Sequence, residues 1–313
     1  MPRPFERVPF DELPAEPRVA HDLARAALRF VDVACPAFGA LRVAYRELGD
    51  GPPLVLVHGL MTASYSWRYV IADLASKHRV IALDLPGAGE TTAAPDRPHT
   101  PEALASFVAA FLRALGLDGS VVVGNSLGGY VCLHLALAEP GLMRALVDIH
   151  SPAMPEARYH AMHAALAVPG VARALAAFIQ RDPARWVWKN VHYWDETLKS
   201  REELEAYGAV LRTDAGVRSF VRYLSDALAP RGFRALVDAL EARRARREAF
   251  PAPLLLLYAR RDALVRPDNG PRLAELVPRA ELVWLEDTSH FAHVDTPEPV
   301  VREILRFAAE HGG

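Results

Sequence analysis

The chain has 313 residues, 51% of them hydrophobic, so it is long enough to bury one large core. Its formal net charge of −2 gives no sign of a nucleic-acid partner. The first residues are charged and proline-rich, and no apolar run is long enough to span a bilayer. We therefore expect no signal peptide, no membrane partner and a cytoplasmic location.

Two segments near the N-terminus, 29–36 and 41–48, alternate between polar and apolar residues. A glycine-containing turn separates them, which predicts an antiparallel pair at a sheet edge. Six later runs are apolar without alternation, which is typical of parallel strands covered on both faces. These runs are 54–57, 80–83, 121–123, 145–149, 254–258 and 281–285.

Helical patterns separate the apolar runs, at 65–76, 101–115, 127–139, 268–276 and 297–310. A β-α-β-α order of this kind is built by a parallel sheet with helices on both faces. The predicted fold class is therefore α/β, with a doubly wound, mostly parallel sheet.

The alternation breaks between about residue 151 and residue 250, where helical patterns and many aromatic residues replace the buried strands. We predict a helical cap over 152–248, inserted into a core formed by 30–151 and 249–313. Residues 1–29 precede this core as an N-terminal extension. The aromatic side chains either line an apolar pocket under the cap or form the cap's own small core, and both alternatives stay open.

The sequence GNSLG at residues 124–128 matches the G-x-S-x-G pattern of a nucleophile elbow. A strand that reverses sharply into a helix strains the residue at its apex, and flanking glycines let neighbouring backbone approach. Ser126 lies between a predicted buried strand and a buried helix, with Gly124 and Gly128 on either side and Asn125 before it. The pattern predicts Ser126 as a nucleophile. Because these glycines lack the spacing of a phosphate-binding loop, we expect no cofactor.

A serine hydroxyl is a poor nucleophile unless a base takes its proton. The chain has 12 histidines, so we choose among them by their position relative to the predicted strands. His290 follows the last predicted strand, so we expect it at the same carboxyl edge of the sheet as Ser126. His293 is expected to enter the helix start or to pack locally. Neither His290 with His293 nor His160 with His163 has a third ligand nearby in sequence, so we expect no metal.

Two aspartates compete for the role of the acid that orients the histidine. Asp262 and Asp148 each stand at the end of a predicted strand, and either keeps the chain order Ser, Asp, His. We favour Asp262 because its loop is longer and more polar, and such loops often carry functional side chains. The alternative for Asp262 is a surface carboxylate paired with Arg260 or Arg261.

An oxyanion hole needs two N–H donors aimed at the substrate oxygen. We predict the backbone N–H of Leu60, which follows the strand-ending pair His58-Gly59, and that of Leu127, which follows the nucleophile. The alternative for His58-Gly59 is a simple turn.

Five motifs together resemble the α/β-hydrolase superfamily, in the family's order and over residues 30 to 311. They are HGLM (58–61), DLPGAGET (84–91), GNSLGG (124–129), RRDALVRP (260–267) and TSHFAHVDTPEPV (288–300). The resemblance implies Ser126 as nucleophile, His290 as base and Asp262 as acid, with a helical cap between two sheet strands.

A serine at the elbow favours acyl transfer, whereas haloalkane dehalogenases and epoxide hydrolases carry an aspartate there. We therefore predict an esterase for small to medium apolar carboxylic esters. Asn125 resembles the residue before the nucleophile in carbon–carbon bond hydrolases of aromatic degradation, although Phe291 replaces the tryptophan that follows their histidine. A non-catalytic protein that binds an apolar ligand is a third alternative. The sequence leaves a homodimer open.

Overall fold

The computed structural model describes residues 3–311, in which eight strands form one sheet of order β1-β2-β4-β3-β5-β6-β7-β8. The strands are β1 Ala27–Cys35, β2 Gly39–Leu48, β3 Pro53–Val57, β4 Arg79–Leu83, β5 Ser120–Asn125, β6 Met143–Ile149, β7 Leu254–Ala259 and β8 Glu281–Leu285. Strand β2 pairs antiparallel with β1 and β4, and all other pairs are parallel. The predicted fold class and edge pair are confirmed.

The central strands are buried because both faces of the sheet are covered. In β3, Val55 and Val57 pack into one hydrophobic cluster, while Leu54 and Leu56 pack into a second cluster on the opposite face. Strands β5 and β7 are buried along their whole length. Uninterrupted apolar runs are what a parallel sheet between two helical layers requires.

The helices of the sheet region are α1 Ile71–Leu74, α2 Pro101–Ala114, α3 Leu127–Ala138, α10 Asn269–Leu276, α11 Ala292–Asp295 and α12 Pro297–His311; the remaining helices lie between β6 and β7 and are given below. Thr100 caps α2 by accepting a hydrogen bond from the Ala103 N–H, and Pro101 takes the first helical position.

The predicted helix over 65–76 is wrong. The chain instead forms a 3₁₀ turn at Ser64–Trp67 and the four-residue helix α1. The physical reason is tertiary, because Arg68 turns inward to a fully buried ion pair with Glu203, 2.7 Å away. Its guanidinium also lies over the rings of Tyr65 and Tyr69.

The segment between β6 and β7, called the helical insertion below, contains α4 Ala157–Ala167, α5 Val171–Arg181, α6 Pro183–Asn190, α7 Arg201–Gly208, α8 Asp214–Arg222 and α9 Pro230–Ala245. A π-helical turn at Tyr223–Ala227 separates α8 from α9. No single helix within residues 3–311 has the length and apolar composition of a membrane span; α4 and α5 reach that threshold only as a pair bent by 99°.

Residues 3–26 precede β1, and most of their contacts are with the helical insertion. The Trp188 indole N–H donates to the Val8 carbonyl at 3.0 Å, and the Arg201 N–H donates to the Pro14 carbonyl at 2.8 Å. Leu13 is buried in the same hydrophobic cluster as residues of α5 to α8. The first part of this N-terminal segment therefore packs on the insertion, whereas Leu23 and Ala26 pack into the core cluster that contains Leu54 and Leu56 of β3.

Candidate active site

Ser126 occupies the sharp turn between β5 and α3 with φ 54° and ψ −120°. A positive φ is costly for a residue with a Cβ and persists only where the surroundings enforce it. The enforcing contact is a 2.8 Å hydrogen bond from the Ser126 N–H to the Ile149 carbonyl, which continues the pairing of β5 with β6. The strained turn is the geometry that the elbow motif predicts.

The glycines around Ser126 are required by close backbone approach. A Cβ on Gly128 would lie 2.2 Å from the Val57 carbonyl oxygen, and a Cβ on Gly124 would lie 2.5 Å from Gly129 Cα. A Cβ on Gly59 would lie 3.1 Å from Ser126 Cβ. Helix α3 can therefore start directly against the end of β3.

His290 and Asp262 meet at the carboxyl edge of the sheet. The Nδ1 of His290 lies 2.7 Å from Oδ2 of Asp262, and both side chains are almost fully buried. The other Asp262 oxygen accepts hydrogen bonds from the Leu264 and Val265 N–H groups at 2.6 and 2.8 Å. Burial acts to raise the pKa of Asp262, but the charge and hydrogen bond of His290 bring it below its ordinary value. The carboxylate is therefore ionised and fixed in direction.

Ser126 and His290 line the same cavity, of about 220 Å³. Ser126 is 9% exposed, so its side chain is not sealed beneath its neighbours. Because Nδ1 of His290 is taken by Asp262, Nε2 is the nitrogen left for a serine hydroxyl or a substrate. No hydrogen bond joins the two side chains in the described residues 3–311. Such bonds are often long in ligand-free enzymes.

The turn after β3 brings Leu60 to the same cavity as Leu127. Within residues 3–311, neither backbone N–H donates to a protein acceptor, so both are available to a substrate oxygen. His58 braces this turn, because its Nε2 accepts from the Leu85 N–H at 3.0 Å and its Nδ1 donates to the Gly59 carbonyl at 2.7 Å. Burial lowers the pKa of His58 to about 4, so the ring is neutral.

Asn125 ties the elbow to the histidine loop. Its Nδ2 donates to the carbonyl oxygens of Ile149 and His290, each at 3.2 Å. The fully buried amide thereby links the ends of β5 and β6 to the peptide that carries His290. These two bonds hold the His290 peptide against the end of β5.

The other candidates from the sequence lie elsewhere. Asp148 accepts hydrogen bonds from Ser151 Oγ and, at 3.3 Å, from Tyr258 OH, and does not contact His290. His293 is buried in α11, with its ring centroid 4.4 Å from that of Trp67. His160 and His163 lie on α4 and hydrogen-bond backbone carbonyls.

His150, which the sequence reasoning passed over, lies beside the histidine–aspartate pair. Its ring centroid is 5.7 Å from that of His290, and its Nε2 accepts from the Ala259 N–H at 2.5 Å. Burial lowers the pKa of His150 to about 4. The signal that could have found it is its position directly after β6, at the sheet edge where the site forms.

His150, Asp262 and His290 also have nitrogen and oxygen atoms within 4.8 Å of one another, the spacing of a metal cluster. However, the Asp262 oxygens already accept hydrogen bonds from His290 and from two backbone N–H groups. The donor set is therefore that of a histidine–carboxylate pair. In the described range, a second group with this spacing is Glu281, Glu310 and His311, which are partly buried or exposed.

The alpha/beta hydrolase fold family model matches residues 52–297, and the chain belongs to this family. It is accordingly a hydrolase. The fold and the elbow at Ser126 agree with that membership.

Full-length relatives differ in the reactions that they catalyse. A pimeloyl-acyl-carrier-protein methyl ester esterase of Aeromonas hydrophila is 29% identical over 271 residues, which is 85% of this chain and 99% of that protein. A 2-hydroxymuconate semialdehyde hydrolase of Pseudomonas sp. is 26% identical over 273 residues, covering 86% and 91%. The uncharacterised hydrolase YugF of Bacillus subtilis is 26% identical over 254 residues, covering 81% and 89%.

Solved structures share the fold. A thermophilic esterase from Thermogutta terrifontis matches with a TM-score of 0.71 and 24% identity, over 90% of this chain and 99% of that one. The epoxide hydrolase CorEH matches with a TM-score of 0.74 and 22% identity, over 91% and 99%.

Proposed function

We propose that the protein is a serine hydrolase that cleaves small to medium apolar carboxylic esters through an acyl-enzyme. The observation that carries this proposal is the 2.7 Å contact between His290 Nδ1 and Asp262 Oδ2 on a cavity that Ser126 also lines. An oriented imidazole next to a strained, partly accessible serine is the arrangement that acyl transfer requires.

In the proposed reaction, Ser126 Oγ attacks the ester carbonyl carbon while His290 Nε2 takes the hydroxyl proton. The N–H groups of Leu60 and Leu127 would hold the negative oxygen of the tetrahedral intermediate. Each donor of this kind contributes about 3 kcal/mol to the transition state. His290 then gives the proton to the leaving alcohol, and a water molecule activated by the same nitrogen releases the acid.

The cavity wall favours an apolar substrate. Rings and aliphatic side chains come to it from the insertion, including Trp186, Phe220, Leu224 and Leu228, and from the sheet region, including Leu60, Leu264 and Phe291. Epoxide hydrolases are among the fold neighbours, but a hydroxyl nucleophile in place of a carboxylate suits attack on a carbonyl.

Carbon–carbon bond hydrolysis is the second candidate, because one full-length relative is a 2-hydroxymuconate semialdehyde hydrolase and Arg158 lines the cavity. A guanidinium there could bind a substrate carboxylate. Arg158 is already paired with Glu156 at 3.0 Å, and its own hydrogen bond to Tyr159 OH is 2.8 Å long. Because these contacts already occupy the Arg158 guanidinium, it is less able to bind a substrate carboxylate, which favours ester hydrolysis over carbon–carbon bond hydrolysis.

A parallel screen tests the two candidates. The purified protein is assayed with p-nitrophenyl esters and with a vinylogous diketone acid, and Ser126→Ala and Ser151→Ala serve as the loss and control variants. We expect ester turnover that Ser126→Ala reduces by at least about 10³-fold and Ser151→Ala largely retains. Turnover of the diketone acid alone would replace the ester proposal, and equal turnover in Ser126→Ala would refute the nucleophile.

A further inference from the structure

A second cavity adjoins the one that contains Ser126. The larger cavity measures about 220 Å³ and the smaller about 20 Å³. Both are lined by Leu60, Met61 and Leu127 from the sheet region and by Phe220 from helix α8. These side chains form a common wall, and the two proposed oxyanion donors, Leu60 and Leu127, belong to it.

The position of His290 distinguishes the two cavities. His290 lines only the larger one, together with Leu264, Val265 and Phe291. In the proposed reaction the imidazole must protonate the leaving alcohol oxygen, so the alcohol portion has to lie on this side. The carbonyl oxygen is directed to the wall by the two N–H groups. The acyl substituent is the remaining group on the carbonyl carbon, and the smaller cavity is the space left for it.

The smaller cavity is apolar and narrow. Leu85, Ala88, Leu211 and Tyr223 contribute to its lining. A cavity needs about 10–15 Å³ to hold one water-sized group. The smaller cavity, at about 20 Å³, therefore accommodates little more than a methyl or ethyl group. Phe220, only 6% exposed, is the insertion side chain in the wall that this cavity shares with the larger one.

We propose that the two cavities select esters of a short acyl group with a bulky apolar alcohol, and that Phe220 sets the upper limit on acyl length. The proposal rests on the proposed ester hydrolysis and specifies its substrate class. A longer acyl chain has to displace the Phe220 ring or compete for the alcohol side, and packed walls resist such overfilling.

Two ester series test the proposal on the wild-type protein. In the first series the alcohol is p-nitrophenol and the acid runs from acetate through butyrate to octanoate. In the second series the acid is acetate and the alcohol runs from ethanol through benzyl alcohol to 2-naphthylmethanol, so that every leaving group is a primary alkanol. We expect kcat/KM to fall by about tenfold or more from butyrate to octanoate, as a pocket that excludes added methylenes does, and to rise with alcohol size.

Variants at the wall locate the limit. Phe220→Ala and Phe220→Leu should each raise the octanoate-to-acetate ratio of kcat/KM, and Phe220→Trp should lower it. Phe30→Ala removes the same side chain from the edge strand β1, where 41% of it is exposed, and should leave the ratio unchanged. A flat or rising acyl profile in the wild type overturns the acyl limit alone. If the protein hydrolyses no ester of either series, the proposed function is wrong and this inference falls with it.

Discussion

The catalytic edge of the sheet and the helical insertion above it are held together by different interactions. At the sheet edge, backbone hydrogen bonds fix the functional residues, as in the 2.8 Å bond from the Ser126 N–H to the Ile149 carbonyl. Where the insertion meets the sheet region, Arg68 from the turn after β3 forms an ion pair with Glu203 of α7 that has no solvent exposure, and Tyr193 OH donates to Glu203 at 2.6 Å. The positions of the catalytic residues therefore depend on the order of the strands, whereas the contact of the insertion with the sheet region depends on a buried ion pair.

This difference determines which features of the fold a sequence pattern can predict. Strand ends and elbow glycines are read from neighbouring residues, whereas Arg68 and Glu203 are 135 residues apart in the chain. The same holds for the N-terminal segment, whose contacts with Trp188 and Arg201 join parts of the chain far apart in sequence. The comparison can be tested by removing one interaction from each region.

The largest effect is expected at the sheet edge, from Asp262→Asn. This change removes the carboxylate that orients His290, and kcat for p-nitrophenyl acetate should fall by about 10³–10⁴-fold with the fold intact. Asp148→Asn is the matched control, because Asp148 does not contact His290, and it should lose far less kcat. The reverse order of the two losses would assign the acid to Asp148.

At the contact between the insertion and the sheet region, Arg68→Met should destabilise the protein by about 3–5 kcal/mol, since it leaves Glu203 buried without its partner. Thermal and denaturant unfolding measure the loss. The double variant Arg68→Met/Glu203→Leu should recover part of it, because two apolar side chains replace the buried pair while the buried Tyr193 hydroxyl loses its acceptor. Arg113→Met breaks an exposed pair with Glu139 and should change nothing measurable. Equal losses of unfolding free energy in Arg68→Met and Arg113→Met would contradict the stabilising role assigned to the buried ion pair.

A smaller, pH-dependent effect is expected at Asp148, whose pKa burial raises from 3.8 to about 7. The folded protein keeps this proton after the unfolded chain has lost it, so the free energy of unfolding falls as pH rises from about 4 to about 7. Asp148→Asn removes this dependence and should gain on the order of a few kcal/mol relative to the wild type across that window. Denaturant titrations at several pH values measure it. Parallel pH profiles for the two proteins would show that Asp148 keeps its ordinary pKa.

Much of the scaffold could be predicted because its signals are local. The uninterrupted run before Gly124, the turn at Ser126 and the loop of Asp262 each follow from side-chain periodicity and turn chemistry. The rest depends on tertiary partners. Residues 65–76 have a helical pattern, yet the helix does not form over this range, and Arg68 pairs with the buried Glu203. The position of His150 directly after β6 marks the sheet edge, but its contacts with Ala259 and with the His290 ring join residues more than a hundred positions apart in the chain.

The most direct test of the account is covalent labelling with a fluorophosphonate, which reacts with activated serine hydroxyls. Intact mass and peptide mapping should show one adduct, on Ser126, which is absent in Ser126→Ala and greatly slowed in Asp262→Asn. An adduct on another serine, or none on a protein that hydrolyses esters, would contradict the assignment of Ser126 as the nucleophile.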